Sequence, residues 1–66
     1  MNLAILTNNK GEVISYYDIV VDEDYRAYRV IDYDDKRMVF RVMRIGDNKP
    51  FTIGEETVKE MLLDNF

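Results

Sequence analysis

Carboxylates and tyrosines are the side chains in this 66-residue chain whose number and spacing invite chemistry. Asp22, Glu23 and Asp24 form one acidic run, Asp32, Asp34 and Asp35 a second, and Glu56, Glu60 and Asp64 recur at intervals of four. Two carboxylates can share acid and base work on a glycoside when a cleft raises the pKa of one. A chain this short offers little room for such a cleft. There is no His and no Cys, and Ser15 is the only serine, so no Ser-His or Cys-His pair can form. The same absence removes disulfides and the usual zinc sites. Neither an enzyme nor a cofactor is expected.

The acidic runs also carry hard oxygen ligands of the kind calcium takes. Neither is followed by the glycine and distant glutamate of an EF-hand loop, so solvated turn carboxylates are the commoner reading. The third group differs in its spacing. On a helix Glu56, Glu60 and Asp64 stand opposite the apolar residues, about 6 Å apart along the axis. In a strand Asp32 and Asp34 share a face at roughly 6.6 Å. Rows of like charge at that interval resemble the ladder of a nucleic-acid backbone. The plainer reading of the helical row is a solvated face.

All five tyrosines (Tyr16, Tyr17, Tyr25, Tyr28 and Tyr33) fall between residues 16 and 33, interleaved with aspartate. Strand tyrosines commonly pack half-buried, but tyrosine is also a preferred interface anchor.

Turn signals then set out the elements that must hold these groups. Asn8-Asn9-Lys10-Gly11 predicts a turn between strands at 2–7 and 12–21, a first hairpin. Asp22-Glu23-Asp24 predicts a second turn before a strand from Tyr25 to Tyr33. Asp34-Asp35-Lys36 predicts a third, leading to a strand over Arg37 to Ile45. There alternation puts Met38, Phe40 and Val42 on one face and Arg37, Val39, Arg41 and Met43 on the other. Gly46-Asp47-Asn48-Lys49-Pro50 is the strongest turn, and Phe51-Thr52-Ile53 offers a fifth pairing.

A helix is predicted over residues 54–65, with Val58, Met61, Leu62 and Phe66 in one apolar arc and Leu63 outside it, available to a dimer seam. Thr52 fits a capping box, whereas Gly54 as N-cap allows an Ile53–Val58 staple; the extended look of Phe51-Thr52-Ile53 favours Gly54. Glu55 and Glu56 suit the helix N-terminus. The expected fold class is α+β over residues 1–66: a single domain with a four- to five-stranded antiparallel β-meander and one C-terminal α-helix packed on it.

Composition agrees with a globular domain, since 47% hydrophobic residues exceed what a disordered chain carries. One core of this size rarely supplies more than about 3–5 kcal/mol, and without disulfide or zinc a homodimer becomes the expected staple. The N-terminal apolar run has no basic flank and no segment approaches a membrane span, so a cytoplasmic location is expected.

The net charge of −4 is segregated: residues 18–35 sum to −5, residues 36–49 to +4 and residues 50–66 to −3. The basic block, with Arg37, Arg41 and Arg44, admits weak nucleic-acid binding or pairing with acids on neighbouring strands. Size, acidity, segregated carboxylates and tyrosines in acidic surroundings resemble the small phage-encoded host-takeover proteins that act as DNA mimics. That resemblance implies a non-enzymatic protein-binding inhibitor. It would present an acidic surface to a basic nucleic-acid-binding protein, such as a histone-like nucleoid protein, repair enzyme or nuclease, without binding nucleic acid itself. The expected contact residues are Glu56, Glu60, Asp64, Asp22, Glu23, Asp24, Asp32, Asp34, Asp35, Tyr25 and Tyr33. The alternative is a structural or oligomerisation module.

Overall fold

The computed structural model describes residues 4–64, which form two antiparallel sheets and one short helix. The hairpin β1 (Ala4–Thr7) and β2 (Val13–Ser15) makes a two-stranded sheet. β3 (Ile19–Val21), β4 (Ala27–Asp34), β5 (Val39–Arg44) and β6 (Pro50–Gly54) form a meander. Helix α1 (Glu55–Lys59) comes directly after it, and β7 (Leu62–Leu63) returns to pair with β3, giving the sheet order β6-β5-β4-β3-β7. The α+β architecture expected from the sequence is the one observed.

Its core draws on every layer. Ile14 from β2, Val20 from β3, Tyr28 and Val30 from β4, Phe40 and Val42 from β5, Val58 from α1 and Met61 beyond it are all buried. Alternation explains most of this selection, and one irregularity explains the rest. The β4–β5 register shifts between Val30 and Asp32, so Tyr28 and Val30 point inward before the bulge and Tyr33 packs on the core after it. Asp32 and Asp34 therefore fall on the opposite side of β4 from Tyr33. Tyr33 meets Phe40 at 4.7 Å between ring centroids.

Several boundaries differ from expectation. The predicted strand 12–21 is broken at Tyr16–Tyr17, because the Asp18 carboxylate accepts the Ser15 N–H (2.8 Å) and closes a turn. Tyr17 takes φ 70° there, and its N–H donates to the Val30 carbonyl at 2.7 Å, so the chain leaves β2 for the larger sheet. Tyr25 and Arg26 belong to a turn rather than to β4. Met38 does not join the Phe40/Val42 face: it sits exposed at φ 57° in the β4–β5 turn.

The largest correction concerns the C-terminus. The helix ends at Lys59, with Gly54 as the extended N-cap and Glu60 as the C-cap. Five residues cannot sustain a helix without packing, and the open edge of β3 offers backbone bonds to the segment beyond Met61. Val21 pairs with Leu62 and Val20 with Leu63. Strand alternation then reverses the two leucines: Leu63 packs on the core and Leu62 is 50% exposed. Val58 and Met61 are core as expected, while Phe66 lies outside the described residues. The leucine expected at a dimer seam is thus committed to the interior, and the leucine expected in the core faces solvent.

Candidate functional site

The turn between β3 and β4 is built by Asp22. Its Oδ1 accepts the N–H groups of Asp24 and Arg26, each at 2.9 Å, and Arg26 reaches Asp22 Oδ2 (3.4 Å) and Asp24 Oδ2 (2.6 Å). Asp22 and Asp24 are thus partly neutralised inside the turn, and Glu23 is the acid it leaves unpaired among the described residues. The same turn holds Tyr25 at φ 63° with its side chain 90% exposed. A bulky residue pays about 1–2 kcal/mol for that left-handed conformation, and no apolar burial offsets it.

Across a cavity of about 110 Å³ the turn faces the end of α1. Asp22 and Glu23 line one side, and Thr57, Glu60 and Met61 the other. Three carboxylates therefore surround one depression, with a buried methionine contributing to its wall. Among the described residues no group of three or more His, Cys, Asp or Glu is arranged to hold a metal ion.

The other expected contact residues are spread out. Glu56 is exposed on α1, but the predicted column of Glu56, Glu60 and Asp64 does not exist, because the helix stops before Glu60 and Asp64 lies past β7. Asp64 is half-buried and its N–H donates to the Ile19 carbonyl (2.8 Å). Asp34 caps its own turn, accepting N–H bonds from Lys36 (3.0 Å) and Arg37 (3.3 Å). Asp35 is exposed beside it, and Asp32 lies opposite Arg41 in the ladder. The length of β4 separates this cluster from Asp22–Asp24 by roughly 23 Å, nearly the full width of the molecule.

Tyr33 is structural. Its O–H donates to Glu55 Oε1 at 2.6 Å, and its ring lies on Phe40. The basic residues pair locally rather than across strands: Arg37 with Asp34 (3.9 Å), Arg44 with Asp47, and Lys59 with Glu55 (3.7 Å). Arg44 also lies over the Phe51 ring at 4.9 Å, which ties the basic strand to packing.

One pair is not foreseen by the sequence patterns at all. Asn8 is 5% exposed: its Oδ1 accepts N–H bonds from Lys10 (3.0 Å) and Glu12 (2.9 Å), while its Nδ2 donates to Glu12 Oε1 (3.0 Å) and the Met61 carbonyl (3.0 Å). Glu12 in turn accepts the Leu63 N–H at 3.0 Å. These bonds hold the Glu12 carboxyl below its ordinary pKa, the Asn8 amide first and the Leu63 N–H second. The signal available was the Asn–Glu spacing of four around Gly11, whose φ of 81° lets the turn close.

No protein-family model, curated protein or solved structure matches the chain. Among the described residues no helix is long and apolar enough to cross a membrane.

Proposed function

We propose that this protein is a non-enzymatic, cytoplasmic inhibitor that binds a basic nucleic-acid-binding protein through an acidic surface in place of DNA. The observation that carries it is the convergence of Asp22, Glu23 and Glu60 around one cavity, next to the exposed Tyr25. Lysine and arginine side chains fit such a depression, and a projecting tyrosine supplies an anchor with an apolar body and polar tip. The contact is centred on this end; the Asp32–Asp35 cluster is too distant to share a small groove with it. The local ion pairs of Arg26, Arg37, Arg44 and Lys59 favour the second reading, a structural module whose charges serve its own turns.

A titration against the basic partner captured from bacterial lysate separates the two. Binding should weaken steeply with salt and compete with DNA. Glu23→Lys with Glu60→Lys should abolish it while circular dichroism stays unchanged. Undiminished affinity and an unaltered salt slope in that folded variant would remove the inhibitor reading.

A further inference from the structure

One edge strand of the five-stranded sheet, β6, is bonded only to β5 among the described residues. The phase of that ladder is set by bonds at its two ends. The Arg44 N–H donates to the Lys49 carbonyl (2.9 Å), and the Glu55 N–H donates to the Met38 carbonyl (3.0 Å). Bonded and non-bonded pairs alternate between antiparallel strands. Given the pairing of Val42 with Phe51 and Phe40 with Ile53, those two residues of β6 turn their backbone groups toward β5. Pro50, Thr52 and Gly54 turn theirs outward.

Pro50 has no N–H to offer, and the Gly54 carbonyl, at the N-cap, takes the first helical bond. Left on the open edge are the Thr52 N–H and carbonyl, the Gly54 N–H and the Pro50 carbonyl. This set is self-complementary. We propose that β6 pairs antiparallel with β6 of a second copy of this chain, about a two-fold axis at Thr52. Each Thr52 N–H then meets the Thr52 carbonyl of the other copy, and each Gly54 N–H meets a Pro50 carbonyl. The proline nitrogen and the occupied glycine carbonyl fall opposite one another, so neither leaves an unmatched partner.

Charge supports the same register. Lys49 makes no ion pair among the described residues, and Glu56 makes none. The pairing lays Lys49 beside the first helical turn of the second copy, where Glu55 and Glu56 stand, and symmetry repeats the contact. On the core side it sets Phe51, which is 37% exposed, beside Ile53 of the other copy.

Sedimentation of the full chain from micromolar to millimolar concentration tests this together with amide exchange. A dimer is expected, with exchange at Thr52 and Gly54 slowing as concentration rises. Lys49→Glu should weaken it roughly ten- to thirtyfold at low salt, from two attractive pairs made repulsive. Adding Glu56→Lys to that variant should restore most of the loss. A monomer throughout would overturn the pairing and leave the edge open to an extended segment of some other protein. A dimer whose Thr52 and Gly54 amides exchange no more slowly, or a double variant no tighter than Lys49→Glu, would overturn it as well.

Discussion

The Tyr33 hydroxyl donates a 2.6 Å hydrogen bond to Glu55, joining the far end of β4 to the first turn of α1 across 22 positions. That bond, then burial, then the negative charge of Glu55 push the tyrosine pKa up to about 12. A raised folded-state pKa adds stability that is complete below the ordinary tyrosine value near 10 and is lost as pH rises through about 12. Melting temperatures across that range should fall, and Tyr33→Phe should flatten the alkaline limb. An identical limb in the variant would place the titration elsewhere.

At the acid end the sign is opposite. Glu12 and Asp47 both have lowered folded-state pKa values, Asp47 to about 2 through its hydrogen bond from Arg44. Their stabilisation is present above the ordinary carboxylate range and disappears as pH falls through the lowered values. Glu12→Gln should reduce stability at neutral pH and make the profile shallower as pH falls through and below the ordinary glutamate range. A parallel displacement, with the slope unchanged, would show that Glu12 does not titrate against Asn8 and Leu63.

The two leucines of β7 should behave differently. Leu63 packs on the core, so Leu63→Ala should cost about 2–3 kcal/mol, toward the low end for leucine truncations because the site is only partly buried. Leu62→Ala should cost under about 1 kcal/mol. Denaturant midpoints at constant slope decide the matter. A larger loss at Leu62 would restore the helix that its sequence periodicity predicts.

Tyr25 should trade stability for binding. Asparagine tolerates left-handed backbone far better than tyrosine, so Tyr25→Asn should gain up to about 1 kcal/mol. In a domain of this size that raises the melting point by several degrees. The same variant should bind the basic partner at least about tenfold more weakly, as loss of a tyrosine anchor does. Unchanged affinity would mean that the exposed ring has no part in recognition.

The legible parts of this fold were those that local chemistry decides. Asn8–Gly11, Asp22–Asp24 and Gly46–Pro50 mark turns by residue type alone, although Pro50 itself opens β6, and the extended Phe51-Thr52-Ile53 pointed to the Gly54 N-cap. Phe40 and Val42 were readable by alternation. Illegible were the outcomes set by distant partners. Nothing near Leu62 announces that β3 has an edge to fill, and nothing near Ile31 announces the bulge that redirects Tyr33. The acidic surface suffered accordingly: Glu23 and Glu60 meet because two turns converge, whereas a row through Asp64 needs a helix that does not continue. The proposed homodimer was legible only as a need, and the register proposed for it at Thr52 rests on the phase of the β5–β6 ladder.

The Asn8 amide spans 53 positions to reach Met61, and that distance orders events in time. Closing a loop of such length costs roughly 3–4 kcal/mol of chain entropy, whereas the β3–β6 meander assembles from neighbours in sequence. The meander is therefore expected to form the folding nucleus, with the clasp between the first turn and the segment entering β7 closing on the native side of the barrier. Severing it with Asn8→Ala should leave the folding rate nearly untouched and speed unfolding. On that expectation Asn8 would act as a latch on the lifetime of the folded state, a role that would fall to the one buried polar residue among those described.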